Sequence, residues 1–341
     1  MSDSCILPEF DAEQAHEIAR RLYALDGPMK LLHGERDLNY RVEDARGRFV
    51  FKIANAEEAR DMLDCQHRVF ERLAAARVFD DVACALPSLA GHEIETVEDA
   101  QGRRHYCRVL PFVEGRTWSE LETSGAVLLR DLGARLGALD TALRGFQHPG
   151  LTRPLLWNME VTGPRLGDYK PLLASADDRE LVEHFDRGYV ERVLPLAGQL
   201  RRGVIHNDAN RGNVLVDEAG LRVTGVIDFG DMLDTWIVLE PAIAATYSMH
   251  GEADPLGCAA AVVAGYHGEL ALEESEIAIL FDLIGMRLCM SVCLCAYQQS
   301  LQPDNEYLSI DLQDSRDLLQ RLQAVSADEA REGFREACFQ A

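Results

Sequence analysis

The sequence predicts an α+β chain in two lobes, a β-rich N-lobe over residues 1–112 and a mainly helical C-lobe over residues 113–341. Three observations carry this. From Met29 to Leu110 short apolar runs alternate with polar residues and are separated by Gly, Asp and Asn, the period-two signature of half-buried strands. At Pro111-Phe-Val-Glu-Gly115 a strand stops between two breakers, which marks a hinge. Beyond Gly115 the apolar period lengthens to that of helices, interrupted by a single hairpin. At 341 residues the chain is long enough to bury a core in each lobe.

The elements follow in order. Asp11 to Leu25 places Ala15, Ile18, Ala19 and Leu22 at helical spacing, with acidic residues early and Arg20-Arg21 late, as a helix dipole favours. Met29 to His33, Leu38 to Val42 and Arg48 to Ala54 read as three strands, and Ala56 to Ala76 as a helix with Met62, Leu63, Val69, Phe70 and Leu73 on one face. His92 to Val97 and His105 to Leu110 form a hairpin around Asp99-Ala-Gln-Gly102. After the hinge, helices are expected over Gly125–Leu143, Asp178–Leu200, Trp236–Met249, Pro255–Glu269, Glu274–Ser300 and Leu308–Ser326. Val214 to Val216 and Leu221 to Phe229, joined by Asp217-Glu-Ala-Gly220, are the expected hairpin of the second lobe.

The most informative stretch surrounds that hairpin. Gly203-Val-Ile-His-Asn-Asp-Ala-Asn-Arg-Gly-Asn213 places His206, Asp208 and Asn213 in an H-x-D-x-x-x-x-N pattern, and Val226-Ile-Asp-Phe-Gly-Asp231 ends an apolar strand in D-F-G. The hairpin brings Asn213 and Asp228 to one end, where one Mg²⁺ can take an oxygen from each. Asp208 is left to meet a hydroxyl. This is the spacing of a kinase catalytic loop followed by its metal-binding segment. Any one of these residues alone is more commonly a turn former.

These residues resemble the aminoglycoside phosphotransferase and choline kinase branch of the protein-kinase-like fold, whose members phosphorylate hydroxyls of small molecules. Leu32-His-Gly-Glu-Arg-Asp-Leu-Asn-Tyr40 with Phe49-Val-Phe-Lys-Ile53 is similar to the hydroxylysine kinase group within it. The resemblance runs from about Pro28 to the C-terminal helices and implies a bilobal kinase-like fold and a phosphotransferase with an alcohol group as acceptor. It implies Mg²⁺ as cofactor, held by Asn213 and Asp228, and ATP or GTP as donor. Asp208 is the expected catalytic base or acceptor-orienting carboxylate, and His206 a brace for the loop.

On the nucleotide side Lys52 stands out, because only Lys30, Lys52 and Lys170 occur among 34 basic residues. A lysine kept inside an apolar strand offers a compact ammonium to α- and β-phosphates; an edge lysine facing solvent is the alternative. Gly34 would let a loop approach the phosphates, and Pro111 and Val113 lie where the base would contact the hinge. The helix residue that pairs with Lys52 is open between Gln66 and Glu57, Glu58 or Glu71.

On the acceptor side Asp231, Trp157 and Glu240 are candidates for contacting an amine-bearing, cationic small molecule, an aromatic beside carboxylates suiting an ammonium group. Packing in the core is the competing reading for each. The net charge of −23 speaks against a nucleic-acid partner, which needs a basic face, and is compatible with a cationic acceptor. Nine cysteines without a basic–apolar leader point to reduced thiols in the cytoplasm. Cys289, Cys293 and Cys295 sit among apolar neighbours and read as buried thiols. The apolar stretch Ile284 to Tyr297 is short and carries Arg287, so no membrane partner is expected. A nucleotide-binding pseudokinase acting as a scaffold is the alternative of another class, against which the retention of Lys52, Asp208, Asn213 and Asp228 speaks. A two-metal phosphohydrolase would need further His ligands that the sequence does not place near these residues, and a protein kinase a long activation loop that it does not have after Asp228.

Overall fold

A computed structural model of the chain describes residues 8–32, 34, 36–301 and 307–339, with side chains described outside 307–311. His33 and Glu35, expected in the strand and loop around Gly34, lie outside the described residues. The chain divides into two compact units. The first comprises residues through Glu114 together with Gln147–Leu151, and the second Gly115–Phe146 with the remainder from Thr152.

The first unit opens with α1 (Ala12–Tyr23), whose N-cap Asp11 accepts from the Gln14 backbone while the Gln14 side chain returns to the Asp11 N–H. This reciprocal pair satisfies two of the donors that a helix start leaves bare. Strands β1 (Met29–Leu32), β2 (Leu38–Asp44), β3 (Gly47–Ile53), β4 (Glu95–Glu98) and β5 (Arg104–Pro111) form one sheet in the order β1-β2-β3-β5-β4, every neighbour antiparallel. Ala15, Ile18, Ala19 and Tyr23 of α1 pack against Tyr40, Val42, Phe51, Ile53 and Val109. Because successive strand residues face opposite sides, burial of Phe51 and Ile53 puts the half-buried Lys52 on the other face.

Helix α2 (Arg60–Ala76) buries Met62, Leu63, Val69, Phe70 and Leu73, as the periodicity expects. It begins at Arg60 rather than Ala56. Asn55 Oδ1 accepts from the Glu57 N–H at 3.0 Å, and Asp37 Oδ1 accepts from the Asn55 N–H at 3.1 Å. Side-chain bonding of this kind competes with the helix and delays it.

In the second unit β6 (Arg116–Thr117), β8 (Val214–Val216) and β9 (Val223–Val226) form a three-stranded sheet, while β7 (Arg202–Ile205) pairs antiparallel with β10 (Leu233–Trp236). Helices α3 (Ala126–Ala142), α4 (Met159–Thr162), α5 (Ala176–Gly188), α6 (Leu239–Ser248), α7 (Pro255–Glu269), α8 (Glu274–Ile277), α9 (Leu280–Leu301), α10 (Tyr307–Leu322) and α11 (Ala327–Phe339) complete it. α3 and α7 cross at glycines: a Cβ on Gly133 would lie 1.9 Å from the Val262 carbonyl, and one on Gly265 1.9 Å from that of Arg130. From Leu280 to Cys295 α9 is buried on every side, and 89% of its most apolar window is buried in the chain.

Several boundaries differ from expectation for local reasons. The helix expected over Asp178–Leu200 stops at Gly188 and continues as a π turn and a 3-10 turn, where Pro195 removes a donor. Trp236 closes β10 instead of opening a helix, since the continuous apolar run Trp236-Ile-Val-Leu239 hides the change of period. A turn at Ala278-Ile279 separates α8 from α9. α11 was not expected at all. Cys289, Cys293 and Cys295 are buried, and no cluster of three or more metal-binding side chains occurs among the described residues.

Candidate active site

The second unit assembles its polar centre from two chain segments that leave neighbouring strand ends. Residues 206–213 follow β7 and lead into β8; residues 227–231 follow β9 and lead into β10. Val214 pairs with Val226, and the Ile227 N–H donates to the Asn213 carbonyl at 2.9 Å, so the hairpin brings Asn213 and Asp228 to one end.

His206 ties the segments together. It is fully buried, its Nε2 lies 3.0 Å from the Ile227 carbonyl, and its Nδ1 accepts from the Asp208 N–H at 3.2 Å. Those partners require the tautomer with the proton on Nε2. Phe229 of the D-F-G packs edge-on against the imidazole at 4.6 Å. Burial lowers the histidine pKa, which keeps the ring neutral in this bridging role. Two non-glycine residues here are left-handed, Asn207 at φ 66° and Asp228 at φ 59°. Asn and Asp tolerate that region better than other side chains, and such strain persists only where surrounding bonds hold it.

Asp208 is held on both carboxylate oxygens. Oδ2 accepts from Asn213 Nδ2 at 2.8 Å and from Asn210 Nδ2 at 3.0 Å, while Oδ1 accepts from Arg287 Nη2 at 3.2 Å. The side chain is 22% exposed. Burial pushes its pKa up to about 7; Arg287 opposes the rise, and Asp231 and Asp228 add to it. A positioned carboxylate with affinity for a proton near neutrality is what an acceptor hydroxyl needs from a base.

Asn213 commits its Nδ2 to Asp208, to the backbone carbonyl at 3.0 Å as well as to the carboxylate. Its Oδ1 is the amide's acceptor atom. The exposed Asp228 carboxylate accepts from the Gly230 N–H at 3.1 Å. One amide oxygen and one carboxylate at a hairpin end are hard oxygen donors, the ligand type Mg²⁺ takes alongside water and phosphate oxygens.

Glu240 does not face an acceptor. It is 0% exposed, and its Oε2 accepts from the backbone N–H groups of His206 and Asn207, the latter at 3.2 Å. It anchors the segment that presents Asp208. Deeper still, Tyr266 Oη donates to Asp140 Oδ2, and burial together with Glu240 raises the Asp140 pKa. Burial likewise pushes Glu240 up to about 7. Two neighbouring buried acids resist joint ionisation.

Trp157 is half-buried, and the cation over its ring is the protein's own: the Arg287 guanidinium lies 4.5 Å from the indole centroid and 5.6 Å from that of Tyr247. The Trp157 carbonyl accepts from Asn207 Nδ2 at 3.4 Å. Asp231 sits on the short turn after Asp228, with Arg153 Nη2 3.9 Å from its Oδ1. Asp208, Asp228, Asp231, Arg153 and Arg287 thus form an alternating charge cluster within this unit.

In the first unit Lys52 stands opposite Asn39 on one neighbouring strand and Arg108 on the other. Gln66 Oε1 accepts from Arg108, and Glu71 accepts from Arg68 at 2.6 Å, so two of the open partners for Lys52 are bonded elsewhere. A Cβ on Gly34 would lie 2.7 Å from the Asp37 carbonyl, and that close backbone approach accounts for glycine there. Pro111 ends β5 opposite Phe49, and Val113 follows half-buried.

Sequence reasoning missed Arg287, Arg153, Asp140 and Arg108. For Arg287 a signal existed: an arginine in the middle of an apolar helix demands a buried partner. The others lie far in sequence from what they touch.

The described arrangement has relatives. A family model described as the phosphotransferase enzyme family matches residues 29–276. The hydroxylysine kinase of Mus musculus is 29% identical over 345 residues, covering 94% of this chain and 91% of that protein, and the one of Danio rerio 28% over 338 residues, covering 94% of both. Among solved structures, a microcompartment-associated aminopropanol kinase superposes with a TM-score of 0.73 at 20% identity, over 93% of this chain and 100% of that one. An amicoumacin kinase solved in complex with AMP-PNP, Ca²⁺ and Ami gives 0.70 at 18%, over 94% and 97%. These likenesses show the α+β protein-kinase-like fold.

Proposed function

This chain belongs to the phosphotransferase enzyme family, and from that premise we propose that it transfers the γ-phosphoryl group of ATP or GTP, with Mg²⁺, to a hydroxyl of an amine-bearing small molecule of the hydroxylysine type. The observation that carries the reading is Asp208, fixed on Oδ2 by two asparagines and on Oδ1 by Arg287, with a proton affinity near neutral. A loose phosphoryl-transfer transition state asks mainly for positioning and charge stabilisation. Asp208 orients the acceptor hydroxyl and takes its proton. Asn213 and Asp228 hold the metal, which neutralises charge on the phosphates. Lys52, from the first unit, binds α- and β-phosphate oxygens, with Gly34 at the phosphate loop and Pro111 and Val113 at the base. Asp231 offers a carboxylate to the acceptor's ammonium. The aminopropanol kinase and the hydroxylysine kinases among the relatives act, by name, on amine-bearing acceptors, which supports that class. The described cysteines are thiols rather than disulfides, which supports a reducing, cytoplasmic setting.

The test is a coupled assay of purified protein with Mg²⁺, each nucleotide in turn, and a panel of hydroxylated amines including hydroxylysine, homoserine, choline, ethanolamine and an aminoglycoside. Turnover of at least one acceptor, lost in Asp208→Asn, is expected. Nucleotide binding with no turnover of any acceptor would instead make the chain a scaffold.

A further inference from the structure

Arg287 is 2% exposed and is clamped between two aromatic rings, yet only its Nη2 is hydrogen-bonded; its Nε and Nη1 are buried without a hydrogen-bond partner among the described residues. Arg153 has the same deficit: Nε and Nη2 are buried without such a partner, and its ion pair with Asp231 is long at 3.9 Å. Guanidinium N–H groups left bare in a protein interior are costly, since an unmet buried donor at a charged group forfeits its full desolvation energy. Two arginines share this deficit around Asp208 and Asp231, in a chain whose net charge is −23. An anion supplied from outside would meet it.

Arg287 and the asparagines meet Asp208 on different oxygens. Asn213 and Asn210 approach Asp208 through Oδ2, whereas Arg287 approaches through Oδ1. The two asparagines therefore occupy one oxygen, and the arginine the other. Its second neighbour, Tyr247, accepts from Arg287 Nη2 through its hydroxyl at 3.0 Å. A planar guanidinium held flat by rings presents its edge in a fixed orientation, the geometry that matches a carboxylate.

We propose that Arg287, assisted by Arg153, is the receptor for a carboxylate carried by the acceptor, and so the group by which this site distinguishes the hydroxylysine-type acceptor already proposed from an amino alcohol. Asp231 then meets the ammonium and the arginines meet the carboxylate, a zwitterion read at both charges. This rests on the kinase reading above and adds to it the feature that separates hydroxy amino acids from choline-like, ethanolamine-like and aminoglycoside acceptors.

The experiment compares hydroxylysine with its decarboxylated counterpart, which keeps the hydroxyl and both amines. kcat/KM is measured for each with saturating Mg²⁺ and nucleotide, and binding of each is measured by calorimetry with AMP-PNP. The parent should prefer the carboxylate-bearing acceptor by about 100-fold, the value of one or two charge-assisted hydrogen bonds. Arg287→Met should bring that ratio to within about threefold, and Arg153→Gln should lower it partway. A ratio is insensitive to general damage, and Arg153, being at a half-buried position, gives a second variant if Arg287→Met folds poorly. Equal use of both acceptors by the parent would overturn the carboxylate receptor while leaving the kinase standing. A rise in nucleotide KM in the arginine variants, with the acceptor ratio kept, would assign the arginines to phosphate and overturn it too. Failure to bind or phosphorylate either acceptor would remove the kinase reading and this inference together.

Discussion

Glu240→Ala tests whether the loop that carries Asp208 is held from below. The parent carboxylate accepts two backbone N–H groups, those of His206 and Asn207, at a site with no solvent access. Alanine leaves both donors unmet, at about 1–3 kcal/mol each, so the loss of stability is about 2–6 kcal/mol before any cavity is counted. For a protein of this size that corresponds to a fall in Tm of about 3–8 °C. Glu240→Gln keeps an oxygen in the same place and removes the ionisable acid, so its Tm should stay near the parent's. Asn207, left-handed at φ 66°, should relax once released, moving Asp208 and lowering kcat at least tenfold in the alanine variant while the glutamine variant stays within a few-fold. Differential scanning calorimetry and steady-state kinetics read both effects. If the alanine variant matched the parent in Tm and kcat, the anchoring role would be refuted. If glutamine raised acceptor KM without altering Tm, Glu240 would be a substrate contact after all.

Further outcomes follow from the same geometry. Burial raises the Glu240 pKa to about 7 and raises Asp140, so the folded protein binds more protons than the unfolded chain between the ordinary carboxylate range and neutrality. Stability contributed by the pair is present below about pH 4.5 and is lost as pH rises toward about 7; urea midpoints should fall over that window, and Glu240→Gln should flatten the fall. Lys52→Met should raise nucleotide KM and lower kcat together by about tenfold or more, because an ammonium–phosphate contact is charge-assisted; unchanged nucleotide kinetics would return Lys52 to an ordinary strand position.

What the sequence disclosed and what it hid divide along a physical line. The loop from His206 to Asn213 and the segment around Asp228 were legible because their spacing is local: a strand pair fixes which residues share its end. The β-rich first unit and the long helices were legible from apolar period. The start of α2 was missed because the Asx turn at Asn55 depends on Asp37, eighteen residues earlier. For Glu240 the sequence leaves a substrate contact and core packing both open because its neighbours say nothing of burial; only the fold brings it under His206. Arg287, in α9, lies 79 residues from Asp208, and nothing along the chain announces that contact beyond the oddity of a charge in an apolar helix.

Phosphorus NMR of the complete reaction bears most directly on the claim that Asp208, Asn213 and Asp228 together move a phosphoryl group onto an alcohol. With Mg²⁺, nucleoside triphosphate and hydroxylysine, the parent should convert the γ-phosphorus resonance into that of a phosphate monoester coupled to the carbinol proton, and Asp208→Asn and Asp228→Ala should each abolish the ester while remaining folded. Inorganic phosphate in place of the ester, or an ester formed undiminished by both variants, would contradict it.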